Sequence, residues 1–137
     1  MKISHKTEYA LLAILDLSLQ SPDDVVKGAS IAARQGIPKK FLGLVLAELR
    51  QGGFVVALRG PEGGYRLARP AERITVGDIV ACIEHHGNGK RIAHDAFTPM
   101  WEQVYESISA VIDQTSFADM AERWKQANSR YAPDWVI

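Results

Sequence analysis

Arg59-Gly60-Pro61-Glu62-Gly63-Gly64-Tyr65-Arg66-Leu67-Ala68 is the stretch that decides the fold. It joins two short runs with strand chemistry, Phe54-Val55-Val56-Ala57-Leu58-Arg59 and Tyr65-Arg66-Leu67-Ala68-Arg69. Between them, Gly60-Pro61-Glu62-Gly63-Gly64 supplies the backbone freedom that a hairpin tip requires. Pro70 closes the second run, because proline cannot donate to a strand ladder.

Upstream of this hairpin the period is helical. From about Ser4 to Gln20, Tyr9, Leu11, Leu12, Ile14, Leu15, Leu17 and Leu19 cover more than one face, so this helix is expected to be buried on two sides. Ser21-Pro22-Asp23-Asp24 ends it. A short helix from about Gly28 to Gln35 follows, with Gly36 where helices commonly turn left-handed. Pro38 suits the first position of the next helix, which runs to about Gln51. Its Leu42, Val45, Leu46 and Leu49 fall at i, i+3, i+4 and i+7, a buried stripe. Lys39, Lys40, Gly43, Ala47 and Arg50 lie mostly on the other face, and Gly52-Gly53 stops the helix.

Downstream, Thr75-Val76-Gly77-Asp78 has capping-box spacing and opens a helix through Ile79, Val80, Cys82 and Ile83. Residues 85–96 are aperiodic and read as a loop. Thr98-Pro99 reads as an N-cap followed by proline, and starts a helix with Trp101, Val104, Tyr105, Ile108, Val111 and Ile112 on one stripe. Ser116 and Asp119 form a second capping box. It introduces Phe117, Met120, Ala121 and Trp124 on a last helix ending near Asn128. The apolar tail from Tyr131 to Ile137 is expected to dock on something.

At 137 residues, 47% hydrophobic and 23% charged, the chain is long enough to bury a core without disulfides. Its single cysteine, Cys82, rules out an intrachain disulfide and any site needing three or four thiolates from one chain. A lone cysteine suits a reducing cytoplasm. No apolar run approaches membrane-spanning length, and the N-terminus has no secretory cleavage pattern. Net charge is zero but unevenly spread: residues 1–70 hold ten Lys/Arg against six Asp/Glu, and residues 71–137 hold six against ten. The first half is therefore the one expected to meet an anion. No nucleophile–base pair, phosphate loop or metalloprotease spacing is present, and the hairpin glycines are not a dinucleotide fingerprint, so an enzyme is not expected.

Helix, helix, tight turn, helix and two-stranded wing is the order of a winged helix-turn-helix, a mainly α fold with a small β-hairpin. Ala32, Gly36 and Leu42 stand at helix-turn-helix spacing: alanine for close approach, glycine for the turn, leucine for the core. An ordinary helical hairpin shares that spacing; the hairpin that follows separates the two. Arg59 to Ala68, then Ile74-Thr75-Val76-Gly77-Asp78-Ile79, and Lys6-Thr7-Glu8-Tyr9-Ala10-Leu11 near the start, closely resemble the Rrf-two family of bacterial regulators. The likeness is specific through Ile83 and architectural beyond it. It implies a DNA-binding domain over 1–83, a loop over 84–97 that is the sensor region in relatives, and a dimerisation helix with a C-terminal helix over 98–137. It further implies a homodimeric repressor of double-stranded DNA with a pseudo-palindromic operator. Lys39, Lys40 and Gly43 map to the major groove, Arg59, Gly60 and Pro61 to the minor groove, and Trp101, Val104, Ile108 and Val111 to the dimer interface.

The sequence departs from the family in the loop. Many members hold an iron–sulfur cluster with three cysteines there; this chain has none between His85 and Phe97. Without that triad, no cofactor is expected. The alternative is a metal- or redox-sensing regulator using Glu8, Cys82, His85, His86 and His94, since imidazole binds several transition metals and some relatives place an acidic ligand at the position of Glu8. His85 and His86 are adjacent and His94 lies eight residues beyond, which matches no ligand template, so a solvated loop with titrating histidines is the expectation. A further alternative is a cluster-free regulator controlled by a protein partner.

Overall fold

The computed structural model describes residues 3–84 and 96–131. Six helices and one hairpin follow in chain order: α1 (His5–Ser18), α2 (Gly28–Gln35), α3 (Lys39–Gln51), β1 (Val55–Leu58), β2 (Gly64–Leu67), a single 3-10 turn (Ala71–Arg73), α4 (Val76–Glu84), α5 (Thr98–Ile112) and α6 (Phe117–Tyr131). Helix α1 is the central element and packs on α2, α3, α4, α6 and β2. Its apolar residues do cover two sides: Ala10, Ala13, Ile14 and Leu17 are buried, while Tyr9, Leu11, Leu12 and Leu15 pack partly buried around them. The α3 stripe Leu42, Val45, Leu46 and Leu49 is buried throughout.

Several boundaries differ from the sequence reading by one to three residues, each for a local reason. Helix α1 stops at Ser18, whose hydroxyl donates back to Ile14 O at 2.7 Å. Pro38 is the cap of α3 rather than its first residue; its extended ψ of 133° turns its carbonyl to accept from the N–H groups of Phe41 and Leu42. Thr98 lies inside α5, with Phe97 as the cap. The strands are shorter than expected, paired Val55 with Leu67 through Leu58 with Gly64. Helix α6 extends to Tyr131, and its Trp124 stays 45% exposed although Phe117 and Ala121 on the same helix are buried. The apolar tail beyond Tyr131 lies outside the described residues.

Both capping boxes form and stand next to each other. Thr75 and Asp78 exchange side-chain-to-backbone bonds at 3.0 Å each, and Ser116 and Asp119 do the same at 3.0 and 3.4 Å. Val76 N–H donates to Thr115 O at 2.8 Å and Phe117 N–H to Ile74 O at 2.9 Å, so the starts of α4 and α6 are tied by a one-pair bridge. Gly77 sits at that junction, where an added Cβ would fall 1.7 Å from Asp113 Oδ1 at the end of α5.

The buried charge is on α1. Asp16, 1% exposed, accepts two bonds from the guanidinium of Arg34 at 2.9 and 2.8 Å and one from Gln35 Nε2 at 3.1 Å. This fork joins α1 to the end of α2 and leaves both carboxylate oxygens satisfied. The carboxylate holds the Arg34 guanidinium above its ordinary pKa.

Candidate nucleic-acid interface

The local sequence separates the two faces of α3. Gly36 takes φ of 67° and ends α2, a conformation that L side chains rarely adopt. The chain then turns through Ile37 and Pro38 into α3. Because the apolar stripe faces the core, Lys39, Lys40 and Gly43 are all exposed, as the sequence reading expects. Two further exposed residues on this helix escaped that reading, Phe41 (41% exposed) and Leu44 (59%). The signal was available: Leu44 is an apolar residue off the buried stripe. The Phe41 ring packs 5.8 Å from that of Tyr9 on α1, and Lys40 Nζ lies 5.8 Å from the Phe41 centroid, within cation–π range.

The hairpin tip is braced. Gly63 N–H donates to Gly60 O at 2.9 Å, and any Cβ on Gly63 would lie 2.1 Å from Leu58 O, so only glycine closes the turn this tightly. Arg59, Gly60 and Pro61 are exposed at its end. Lys27, the cap residue of α2, donates from Nζ to Pro61 O at 2.7 Å, and Val26 exchanges two backbone bonds with Tyr65 at 2.8 and 2.7 Å. The wing is thus tied to the residues just before α2, a link between segments far apart in sequence that the sequence reading missed.

The first turn of α1 connects this face to the end of α4. Ser4 caps α1 by accepting from Thr7 N–H at 3.2 Å. The hydroxyl of Ser4 donates to Glu84 Oε2 at 2.9 Å, its backbone N–H at 3.2 Å, and the hydroxyl of the fully buried Thr7 at 2.6 Å. Lys6, one residue before Thr7, pairs with Glu48 of α3. The Thr7 hydroxyl, then the Ser4 N–H, hold the Glu84 carboxyl below its ordinary pKa. A lowered folded pKa stabilises the protein above the ordinary glutamate range, and that contribution is lost as pH falls through the folded value. Glu84→Gln is accordingly expected to lower stability by about 1 kcal/mol at pH 7, with the difference from wild type closing in acid, as read by denaturant titrations across pH.

Of the candidate sensor residues, Glu8 and Cys82 lie among the described residues. Glu8 is exposed, with Oε1 3.7 Å from His5 Nδ1. Cys82 is half-buried between α4 and α3, with Sγ 3.8 Å from Glu48 O. Burial first, and the charge of Glu48 second, push its thiol above the ordinary pKa, the reverse of what a metal-binding thiolate needs. An added Cβ on Gly52 would lie 2.8 Å from that sulfur, so the site is packed. His85, His86 and His94 lie outside the described residues. Among the described residues no three His, Cys, Asp or Glu side chains are placed to share a metal ion. A chain with one cysteine does not fit a three-cysteine iron–sulfur cluster.

A core-facing stripe and an outward lysine pair on one helix, set against a braced glycine-tipped hairpin, make this a winged helix-turn-helix transcriptional regulator. Comparison with known proteins places it more narrowly. The model of the Rrf2 family, described as an iron-dependent transcriptional regulator, matches residues 3–123. The HTH-type transcriptional regulator IscR of Cereibacter sphaeroides is 36% identical over 135 residues, covering 88% of this chain and 86% of its own. The solved structure of T. potens IscR superposes with a TM-score of 0.82 at 35% identity, covering 93% of this chain and 90% of its own. That of CymR, the global cysteine regulator of B. subtilis, gives 0.81 at 28% identity, covering 90% and 98%. The chain belongs to the Rrf2 family. No described helix is long and apolar enough to cross a membrane.

Proposed function

We propose that this protein is a homodimeric repressor that works in the cytoplasm, binds a pseudo-palindromic operator and has no three-cysteine cluster. The observation that carries the reading is the pairing of an exposed lysine start on α3 with the braced Arg59-Gly60-Pro61 tip. A major groove admits an α-helix, so Lys39 and Lys40 would meet phosphates or base edges while Gly43 allows close approach. Arg59, slim and flanked by glycine, suits a narrow minor groove with its concentrated negative potential. The support for a dimer is α5, which has no buried residue and exposes Met100, Trp101, Val104 and Val111. A two-fold pair of such helices covers that surface and sets two recognition helices on two half-sites.

Gel-shift titrations at several salt concentrations test the assignment. Arg59→Ala is expected to weaken operator binding by about 1–3 kcal/mol. Lys40→Ala is expected to weaken binding across sequences and to flatten the salt dependence by about one unit of slope. Unchanged affinity in both variants removes the assigned face.

A further inference from the structure

We propose that Leu44 reads the 5-methyl group of a thymine in the major groove, so that each half-site carries a thymine fixed by an apolar contact rather than by a hydrogen bond. The inference rests on the DNA-binding reading above and adds to it a determinant of sequence choice.

The argument starts from helix geometry. Leu42, Val45, Leu46 and Leu49 fix the inward direction of α3. At 3.6 residues per turn, the line opposite them passes through Lys40, Leu44, Ala47 and, in the last turn, Gln51, with Gly43 toward its edge. All five are exposed. An exposed leucine alone says little. Its neighbours give it meaning here. Gly43 has no side chain, and an added Cβ there would meet nothing within 4 Å, so that flank is open. Ala47 carries no polar group. Between the lysines at the start of α3 and Arg50 near its end, no residue on the line opposite the core donates or accepts a side-chain hydrogen bond. Phe41, the other large apolar residue exposed on α3, is engaged with Tyr9 and Lys40. Leu44, 59% exposed, is the side chain that projects from the middle of the face.

The chemistry of the groove floor then decides the partner. Guanine offers O6 and N7, adenine N7 and an amino group, cytosine an amino group, and each loses water without compensation against a leucine. Thymine alone among the four bases presents an apolar group there, and covering a methyl with a methyl is favourable.

The test uses the full chain and a duplex that it enriches from a random pool. Each thymine of one half-site is replaced in turn by deoxyuridine, which removes only the methyl group. At one position, Kd is expected to rise about fourfold, the effect of one buried methyl group, with the salt slope unchanged. Leu44→Ala is expected to bind the thymine and uracil duplexes equally. That variant keeps the fold, because the site is exposed and alanine is the better helix former. If every uracil duplex binds like the parent while Arg59→Ala still weakens binding, the thymine contact is wrong and the DNA-binding face stands. If the pool yields no enriched sequence, the DNA-binding reading itself fails.

Discussion

Arg34→Met will lower the stability of the protein by about 3 kcal/mol, a fall in Tm of about 10 °C for a chain of this size. Removing the guanidinium leaves the Asp16 carboxylate, 1% exposed, with only Gln35 as a side-chain donor. Methionine offers the carboxylate no hydrogen-bond donor, and an unpaired buried charge is among the few defects that reach this magnitude. The reverse change is milder. Asp16→Asn keeps an acceptor for Arg34 and Gln35, and the Arg34 side chain, 45% exposed, still reaches solvent. A loss of about 1 kcal/mol is expected there. Thermal melts of both variants at one protein concentration check the order. Equal losses would mean that the carboxylate is not the costly member of the pair.

Ile108→Glu is expected to raise the dimer dissociation constant at least about a thousandfold and to carry operator affinity down with it. In a two-fold pairing of α5, a residue near the axis meets its own copy, so one substitution places two carboxylates in an apolar interface. Within one chain Ile108 is only half-buried, so the same change leaves the winged domain folded. Sedimentation at micromolar concentration should give a wild-type dimer and a folded monomeric variant. A wild-type monomer would refute the pairing.

The sequence carried what is local. The stripe of α3, the glycine that ends α2, the hairpin and both capping boxes are each contained in one short stretch of chain, where periodicity and side-chain chemistry suffice. The exposure of the α3 lysines was legible for the same reason: once the inward stripe is known, so is the outward face. What was not legible joins distant segments. Glu84 meets Ser4 and Thr7 from 80 and 77 residues away, and Asp16 meets Arg34 from 18. In a list of residues, each of these charges reads as an ordinary surface group. Only the crossing of α1 with α2 and α4 makes them partners. The exposure of Trp124 was not legible either: its helical phase suits a core face, yet among the described residues it stays 45% exposed.

The contact of Gly77 with Asp113 gives α5 a fulcrum. One end of this helix is held where the starts of α4 and α6 are bridged; the other is joined to α4 through the segment 85–97. Fifteen residues of α-helix span about 22 Å, so a tilt of about 10° about the held end moves the other by about 4 Å. Operator half-sites are about 34 Å apart, and a shift of that size is close to one base-pair step of misregister. In the proposed dimer, an effector acting at the far end of α5 would therefore need no rearrangement inside the winged domain. It would change the spacing between two intact reading heads, and the operator would reject the pair by length.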